Sequence, residues 1–152
     1  MQQTKPWHED DSFWQTWGPL MFPAQRIADA TEEVTKIIKL MDIKPGASIL
    51  DLGCGIGRIS LEFARRGFRV TGVDRTTSYL EQARQLAEKE KLNIEFVHGD
   101  MRAFVRPDAF DSVVSTYTTF GYFEDPADDR RVVDNVYKSL RPGGTVLIDI
   151  HG

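Results

Sequence analysis

Short apolar runs alternate along the chain with segments whose apolar residues recur at helical spacing. The apolar runs predict five strands, at residues 47–51, 68–74, 94–97, 110–116 and 145–150. The helical spacing predicts helices at residues 58–66, at residues 78–90 and after Asp125-Pro126, and an earlier helix that begins with a capping box at Asp29 and Glu32 and ends at Lys44-Pro-Gly46. Strands that alternate with helices favour right-handed βαβ units, so we expect an open, doubly wound α/β fold with a mostly parallel sheet and helices on both faces.

The first 25 residues have no clear periodicity and are rich in large rings. They form either an arm packed on the core or a cap over a ligand pocket, since aromatic rings supply large contact areas. Residues 26–152 are the predicted core domain. The rings of the arm belong to Trp7, Phe13, Trp14, Trp17 and Phe22.

Length and charge restrict the class of protein. A chain of 152 residues suggests one domain, and a net charge of -4 does not favour general binding to nucleic acid or to an anionic membrane. The acidic start is unlike a secretory signal, and no apolar run reaches the length of a membrane span, so we expect a cytoplasmic protein. The single cysteine, Cys54, excludes an internal disulfide framework.

A glycine-rich loop, Gly53-Cys-Gly-Ile-Gly57, follows the first predicted strand. Ligands of doubly wound sheets bind outside the carboxyl ends of the strands, where such loops lie. The dinucleotide pattern G-x-G-x-x-G fails here because its sixth position is Arg58, and no lysine completes a phosphate loop. Asp51, two residues before the loop, would repel a pyrophosphate and favour a ligand with an ammonium group. The alternative is a tight turn without a ligand.

Two further acids follow the second and third strands. Asp74, 21 residues after Gly53, is placed to accept hydrogen bonds from ribose hydroxyls, or else caps the next turn. Its neighbour Arg75 would suit a ribose phosphate, but that phosphate would conflict with Asp74. Asp100 can accept from the exocyclic amine of an adenine, and Met101 can offer a backbone N–H and an apolar wall. Taken alone, Asp100 is an ordinary loop acid.

An adenine, a free ribose and a zwitterionic tail together describe S-adenosylmethionine. The chain resembles the class I S-adenosylmethionine-dependent methyltransferases, whose core is Rossmann-like, over LDLGCGIGR (50–58), TGVD (71–74), HGDM (98–101), FDSVVST (110–116) and LRPGG (140–144). The stretches FWQTWGPLMF and FGYFEDP are similar to a bacterial branch with small-molecule acceptors. The resemblance runs from about Phe13 to Ile150.

The resemblance implies a set of cofactor-binding residues. Asp51, Gly53 and Gly55, with Cys54 in the same loop, would line the methionine portion. Asp74, with Arg75 beside it, would hold the ribose, and Asp100 with Met101 would hold the adenine. Ser115 and Thr116 would lie along the sulfonium, and Trp17 and Phe22 would cover the cofactor.

Methyl transfer from a sulfonium is an in-line displacement that requires little beyond alignment of the acceptor, so no catalytic residue is assigned. His98 is either a base or a structural residue, and Asp149 and His151 are further candidates for a base or metal ligand. Cys54 is expected to pack rather than to act as a nucleophile, and no cluster suggests a required metal. No Asn/Asp-Pro-Pro-Tyr follows the fourth strand, which argues against nucleobase or glutamine methylation.

Class I enzymes usually continue past the fifth strand with two more strands, whereas this sequence stops at His151-Gly152. We therefore expect either a fragment of a longer enzyme or a homodimer that covers the exposed strand edge. The first functional hypothesis is a small-molecule methyltransferase that releases S-adenosylhomocysteine. The alternatives are a module that binds this cofactor without turnover and an enzyme for another nucleotide, such as a dehydrogenase.

Overall fold

The computed structural model describes residues 5–150, which form five strands, five α-helices and one 3-10 helix. The strands are β1 (Ser48–Leu52), β2 (Arg69–Asp74), β3 (Ile94–His98), β4 (Phe110–Ser115) and β5 (Leu140–Ile148). The α-helices are α1 (Asp11–Met21), α2 (Ala24–Met41), α3 (Arg58–Arg65), α4 (Thr77–Lys89) and α5 (Pro126–Ser139), and the 3-10 helix is Trp7–Glu9.

All the strand pairs are parallel, in the order β3-β2-β1-β4-β5. This arrangement confirms the predicted doubly wound sheet. From β1 the chain moves outward through β2 and β3, and then returns to pair β4 with the other side of β1. The loops after β1 and β4 therefore diverge at the carboxyl edge of the sheet, and the crevice between them is where such folds bind ligands.

Helices cover both faces of the sheet, and alternate residues of β1 face opposite cores. Ile49 packs in a cluster with residues of α2 and α3, such as Val34 and Phe63. Leu50, its neighbour, packs in a second cluster that includes Val132 of α5. Every residue of β1 is buried, as expected for a central strand of a parallel sheet.

The N-terminal segment is helical, unlike the irregular arm that the sequence indicated. Asp10 begins α1 by accepting a hydrogen bond from the backbone N–H of Ser12 (2.9 Å). Gly18 and Pro19 lie inside this helix and hid its periodicity in the sequence. Gly18 is buried because α1 packs against Tyr79 of α4, and a Cβ atom there would lie 3.1 Å from the Tyr79 hydroxyl oxygen.

The predicted start of the helix before β1 is wrong. Helix α2 begins at Ala24, directly after Pro23, and no side chain caps it. Asp29 lies inside the helix, where its Oδ1 accepts from Nε2 of Gln25 at 2.7 Å. The Asp29–Glu32 pair therefore mimicked a capping box in the sequence without forming one.

Strand β5 begins five residues earlier than the sequence predicted. Leu140 pairs with Phe110 and Thr145 pairs with Ser112, so a bulge absorbs the Arg141-Pro-Gly-Gly segment that appeared to be a turn. β5 is an edge strand, and the side chain of Val146 is 47% exposed. The apolar edge expected from the sequence is therefore present. No helix among residues 5–150 is long and apolar enough to span a membrane.

Candidate functional site

The loops after β1 to β4 and the N-terminal helices line one cavity at the carboxyl edge of the sheet. The space inside it, including open solvent at its mouth, is about 950 Å³. The structure brings ten predicted site residues to this cavity: Asp51, Gly53, Cys54, Gly55, Asp74, Arg75, Asp100, Met101, Thr116 and Phe22.

The glycine loop presents bare backbone to the cavity. Gly53 and Gly55 both have positive φ, +79° and +54°, which side chains other than glycine rarely adopt. A Cβ atom on Gly53 would lie 2.2 Å from Cγ2 of Thr119, and one on Gly55 would lie 3.0 Å from Cζ of Phe22. The backbone N–H of Gly53 also donates to the Val73 carbonyl at 2.7 Å, which ties the loop to β2. Both glycines are therefore required by conformation and by close neighbours.

Asp74 joins the glycine loop to the turn after β2. Its carboxylate accepts from the backbone N–H groups of Gly55 and Thr76, each at 2.8 Å. Burial raises the pKa of Asp74, while these backbone hydrogen bonds oppose the rise. The turn cap considered from the sequence is therefore present. Asp74 is only partly buried and lines the cavity, so the same carboxylate is also within reach of a ligand there.

Asp51 is a fully buried carboxyl group on the floor of the cavity. Its Oδ2 accepts from the hydroxyl of Ser60 at 2.6 Å, and Asp51 is only 1% exposed. Burial raises the pKa of Asp51 to about 6, although the bond from Ser60 and the charge of Arg58 oppose the rise. A cation bound beside Asp51 would lower this pKa and release a proton near pH 6.

We expect the affinity for a ligand with an ammonium group to fall about tenfold between pH 7 and pH 5, because Asp51, with a pKa of about 6, loses its charge in that interval. Calorimetry with S-adenosylhomocysteine across this range measures the effect, and buffers of different ionisation heat at pH 6 report the released proton. Asp51→Asn serves as the control and should remove the pH dependence. A wild-type affinity that is constant from pH 5 to 7 would contradict the role of Asp51.

The raised pKa of Asp51 also determines whether the free energy of unfolding of the ligand-free chain rises or falls with pH. The folded chain keeps the Asp51 proton up to about pH 6, whereas the unfolded chain releases it near the ordinary value of 3.8. This residue therefore makes the free energy of unfolding fall as the pH rises through that interval.

Arg102 organises the end of the cavity near Asp100. Its Nη2 lies 2.6 Å from Oδ2 of Asp100 and 2.8 Å from Oε1 of Glu9, and its Nη1 lies 3.2 Å from Oδ2 of Asp128. Burial would raise the pKa of Asp100, but the hydrogen bonds and charge of Arg102 outweigh it and lower the pKa. Asp100 is therefore an ionised acceptor. Arg102 also links the N-terminal segment to α5 through one guanidinium group.

Residues 7–22, named here the roof, cover one side of the cavity. The indole N–H of Trp14 donates to the His8 carbonyl at 3.0 Å, and the Tyr79 hydroxyl donates to the Trp14 carbonyl at 2.6 Å. Ring contacts join the roof to the loop after β4, with Trp7 against Tyr122 at 5.2 Å between centroids. The roof therefore lies where a cap over the cavity would lie. That it covers a bound ligand stays a prediction. Thirteen lining residues were not predicted, among them His8, Trp14, Met21, Tyr79, Tyr122 and Phe123.

Two predicted cofactor residues do not line the cavity. Trp17 is 46% exposed, because on α1 it is Trp14 and Gly18, one turn apart, that face α4 and the cavity. Ser115 is buried against α5 in a second, apolar cavity, whereas Thr116, the next residue along the chain, reaches the site. Sequence spacing alone did not show which face of α1 is turned toward the cavity.

None of the candidate bases among the described residues lines the cavity. His98 is exposed, and its Nε2 lies 2.7 Å from the Arg75 carbonyl oxygen, which is the structural alternative. Asp149 follows β5, and its backbone N–H and carbonyl bond Ser115 and Thr118, so it holds the loop after β4. His151 lies outside the described residues. Burial raises the pKa of the Cys54 thiol well above its ordinary value, which supports packing rather than nucleophilic attack.

Residues 49–144, from β1 to the bulge of β5, match the family model of the methyltransferase domain. The chain belongs to the class I S-adenosylmethionine-dependent methyltransferases. This membership confirms the resemblance drawn from the sequence, and S-adenosylmethionine is the cofactor of the family.

The relatives of this methyltransferase domain are named for different reactions. YqeM of Bacillus subtilis (strain 168), named as a methyltransferase, is 36% identical over 104 residues, or 68% of this chain and 42% of that protein. The S-adenosyl-L-methionine-dependent Diels-Alderase iccD of Talaromyces variabilis is 31% identical over 133 residues, or 85% of this chain and 43% of that protein. The crystal structure of the PH0226 protein from Pyrococcus horikoshii OT3 superposes with a TM-score of 0.75 at 26% identity, covering 90% of this chain and 60% of that chain. The domain spans about half the length of the curated relatives it matches.

Proposed function

We propose that the domain binds S-adenosylmethionine in this cavity and directs its methyl group to a small-molecule acceptor. The observation that carries the proposal is the meeting of a bare glycine loop with three acids, Asp51, Asp74 and Asp100, in one cavity. The cofactor supplies a methyl group on a sulfonium, which an aligned acceptor displaces.

The three acids suit the three polar parts of that cofactor. Asp51, Gly53 and Gly55 would surround the methionine portion, with Cys54 packed behind them, because a buried carboxyl group there favours an ammonium group. Asp74 would accept from the ribose hydroxyls beside Arg75, since its side chain is only partly buried and lines the cavity. Asp100, kept ionised by Arg102, would accept from the adenine amine above the Met101 side chain.

The remaining walls of the cavity favour a small acceptor. Trp14 of the roof and Tyr122 of the loop after β4 stand 6.4 Å apart between ring centroids, so aromatic surface from two parts of the chain borders the cavity. These rings would hold an acceptor and exclude water, while Thr116 and Thr119 line the cavity between them and the glycine loop. The acceptor atom must come within roughly 3 Å of the methyl carbon, which positioning alone can provide.

Transfer of a labelled methyl group tests this function directly. The domain is incubated with methyl-labelled S-adenosylmethionine and a panel of small amines, phenols and carboxylic acids. We expect label to appear in a small product together with S-adenosylhomocysteine. The proposal is wrong if label passes only to protein or nucleic acid, or if no acceptor is methylated while the cofactor binds.

The second candidate is a domain that binds the cofactor without transferring its methyl group. One observation favours it: the Talaromyces relative, which is 31% identical over 133 residues, is named for a Diels-Alderase reaction. Binding of S-adenosylmethionine that is recovered intact after incubation with every acceptor would support this candidate.

The exposed edge of β5 supports a further proposal about assembly. Two copies of the domain would pair through this edge, where Val146 is 47% exposed and Ile148 is 37% exposed. Sedimentation of the domain tests the pairing, which Val146→Lys should weaken. A monomer at every concentration would contradict it.

A further inference from the structure

Arg58 is a buried cation whose guanidinium group has protein partners on one side only. It begins α3 directly after the glycine loop, lines the cavity and is 7% exposed. Its Nη1 donates to Oε2 of Glu33 at 2.7 Å and to the Arg26 carbonyl oxygen at 3.5 Å. Nε and Nη2 have no hydrogen-bond partner among residues 5–150, yet neither atom is fully enclosed by protein. This second edge of the guanidinium group is therefore available to a ligand.

The edge formed by Nε and Nη2 is suited to a carboxylate. The N–H donors of arginine lie in one plane, and the N–H of Nε with one N–H of Nη2 forms a fork that fits two carboxylate oxygens. The partner on the other side, Glu33, has a side chain that is 38% exposed, so water weakens its compensation of the buried charge. A second anion would therefore be favoured beside Arg58.

Asp51 and Arg58 place opposite charges around the glycine loop. Asp51 precedes the loop in β1, Arg58 follows it as the first residue of α3, and both line the cavity. The positive charge of Arg58 opposes the rise in the pKa of Asp51, so the two groups are near enough to interact. Each has its own protein partner, however, since Asp51 accepts from Ser60 and Arg58 donates to Glu33. Both charges therefore remain available to separate groups of one ligand.

The tail of an α-amino acid is the ligand group that fits this pair of charges. Its ammonium group and its carboxylate are bonded to the same carbon atom, so one tail can meet both side chains. A phosphate would suit Arg58 but would be repelled by Asp51, and a simple amine would leave the edge of Arg58 without a partner. Under the proposed function, the methionine portion of the cofactor supplies such a tail beside the glycine loop.

We infer that Arg58 binds the carboxylate of the methionine portion through Nε and Nη2, while Asp51 faces the ammonium group. The inference rests on the proposed function, which places the methionine portion at the glycine loop. It adds a selection rule: the site favours S-adenosylhomocysteine over its decarboxylated form, which keeps the amine but has no group for Arg58 to bind.

Calorimetry with these two ligands tests the rule on the wild-type chain, Arg58→Met and Arg58→Lys. We expect Arg58→Met to weaken S-adenosylhomocysteine binding about 10- to 100-fold, the usual effect of hydrogen bonds between charged groups. The decarboxylated form should bind Arg58→Met as well as the wild-type chain or slightly better, because a positive charge near its amine is removed. Arg58→Lys keeps the charge but not the fork, so it should retain part of the selectivity.

Arg66→Met is the matched control, at the other end of α3. Arg66 also joins this helix to α2 and to an acid, since its Nη2 donates to the Thr31 carbonyl oxygen at 2.6 Å and its Nε to Oε1 of Glu62 at 2.9 Å. It does not line the cavity. The control should lower stability and leave both affinities unchanged.

Nitrogen NMR of the wild-type chain supplies a reading that does not depend on a variant folding. S-adenosylhomocysteine should shift the Nε resonance of Arg58 more than its decarboxylated form does, and should leave that of Arg66 in place. Equal losses for both ligands in Arg58→Met, or an Nε resonance that does not move when S-adenosylhomocysteine is bound, would overturn the inference. If the wild-type chain binds neither ligand, the proposed function itself fails.

Discussion

Replacement of Gly53 by alanine should weaken the binding of S-adenosylhomocysteine about 100-fold, because the added methyl group must displace a packed neighbour inside the cavity. The new Cβ atom would lie 2.2 Å from Cγ2 of Thr119, at a φ of +79° that alanine adopts only with strain. Both Gly53 and Thr119 line the cavity, so any movement that relieves the clash changes the surface offered to the methionine portion.

Gly67→Ala is the matched control for this substitution. Gly67 has a φ of +86°, but a Cβ atom there meets nothing within 4 Å. The control should lower the free energy of unfolding by about 1–2 kcal/mol through backbone strain and leave the affinity unchanged. Calorimetry measures both affinities for S-adenosylhomocysteine. Equal affinities of Gly53→Ala and the wild-type chain would contradict the proposal that the glycine loop contacts the cofactor.

Replacement of Asp74 by alanine should weaken cofactor binding by about 1–3 kcal/mol, roughly 5- to 150-fold. The substitution removes the proposed acceptor for the ribose hydroxyls and also frees the N–H groups of Gly55 and Thr76, which the carboxylate holds at 2.8 Å. Calorimetry with S-adenosylhomocysteine measures the loss. The affinity of Asp74→Asn, which keeps one acceptor oxygen, should lie between that of the wild-type chain and that of Asp74→Ala.

Asp111→Ala provides a control at the opposite edge of the sheet. Asp111 is also a strand acid that bonds backbone, since its Oδ2 accepts from the N–H of Ser48 at 2.7 Å, and it also pairs with Arg141 at 3.0 Å. Its removal should lower stability without changing the affinity. A loss of affinity as large as that of Asp74→Ala would show that stability, rather than ribose contact, explains both results.

The sequence predicted the parts of the site that parallel topology brings together. Asp51, Asp74 and Asp100 lie near the ends of β1, β2 and β3, and the carboxyl ends of parallel strands meet at one edge. Recognising the strands was therefore enough to place these acids in a common crevice. The glycine loop was equally accessible, because its spacing and the acid before it are local features.

The roof and the ion pairs that Arg102 makes with it could not be predicted from the sequence in the same way. Arg102 reaches Glu9 across 93 positions of the sequence, a contact that no local pattern records. Trp14 was passed over for Trp17 because the Gly18-Pro19 pair concealed helix α1, and without the helix its inward face could not be assigned. His8 needed the same information, since only the packed roof shows that its ring is buried and unpaired.

Titration of the domain with S-adenosylhomocysteine and, separately, with NAD tests the central claim most directly. Asp51 before a glycine loop without the dinucleotide spacing favours an ammonium group over a pyrophosphate. The account predicts saturable one-to-one binding of S-adenosylhomocysteine and no binding of NAD at the same concentrations. Binding of NAD without binding of S-adenosylhomocysteine would contradict it.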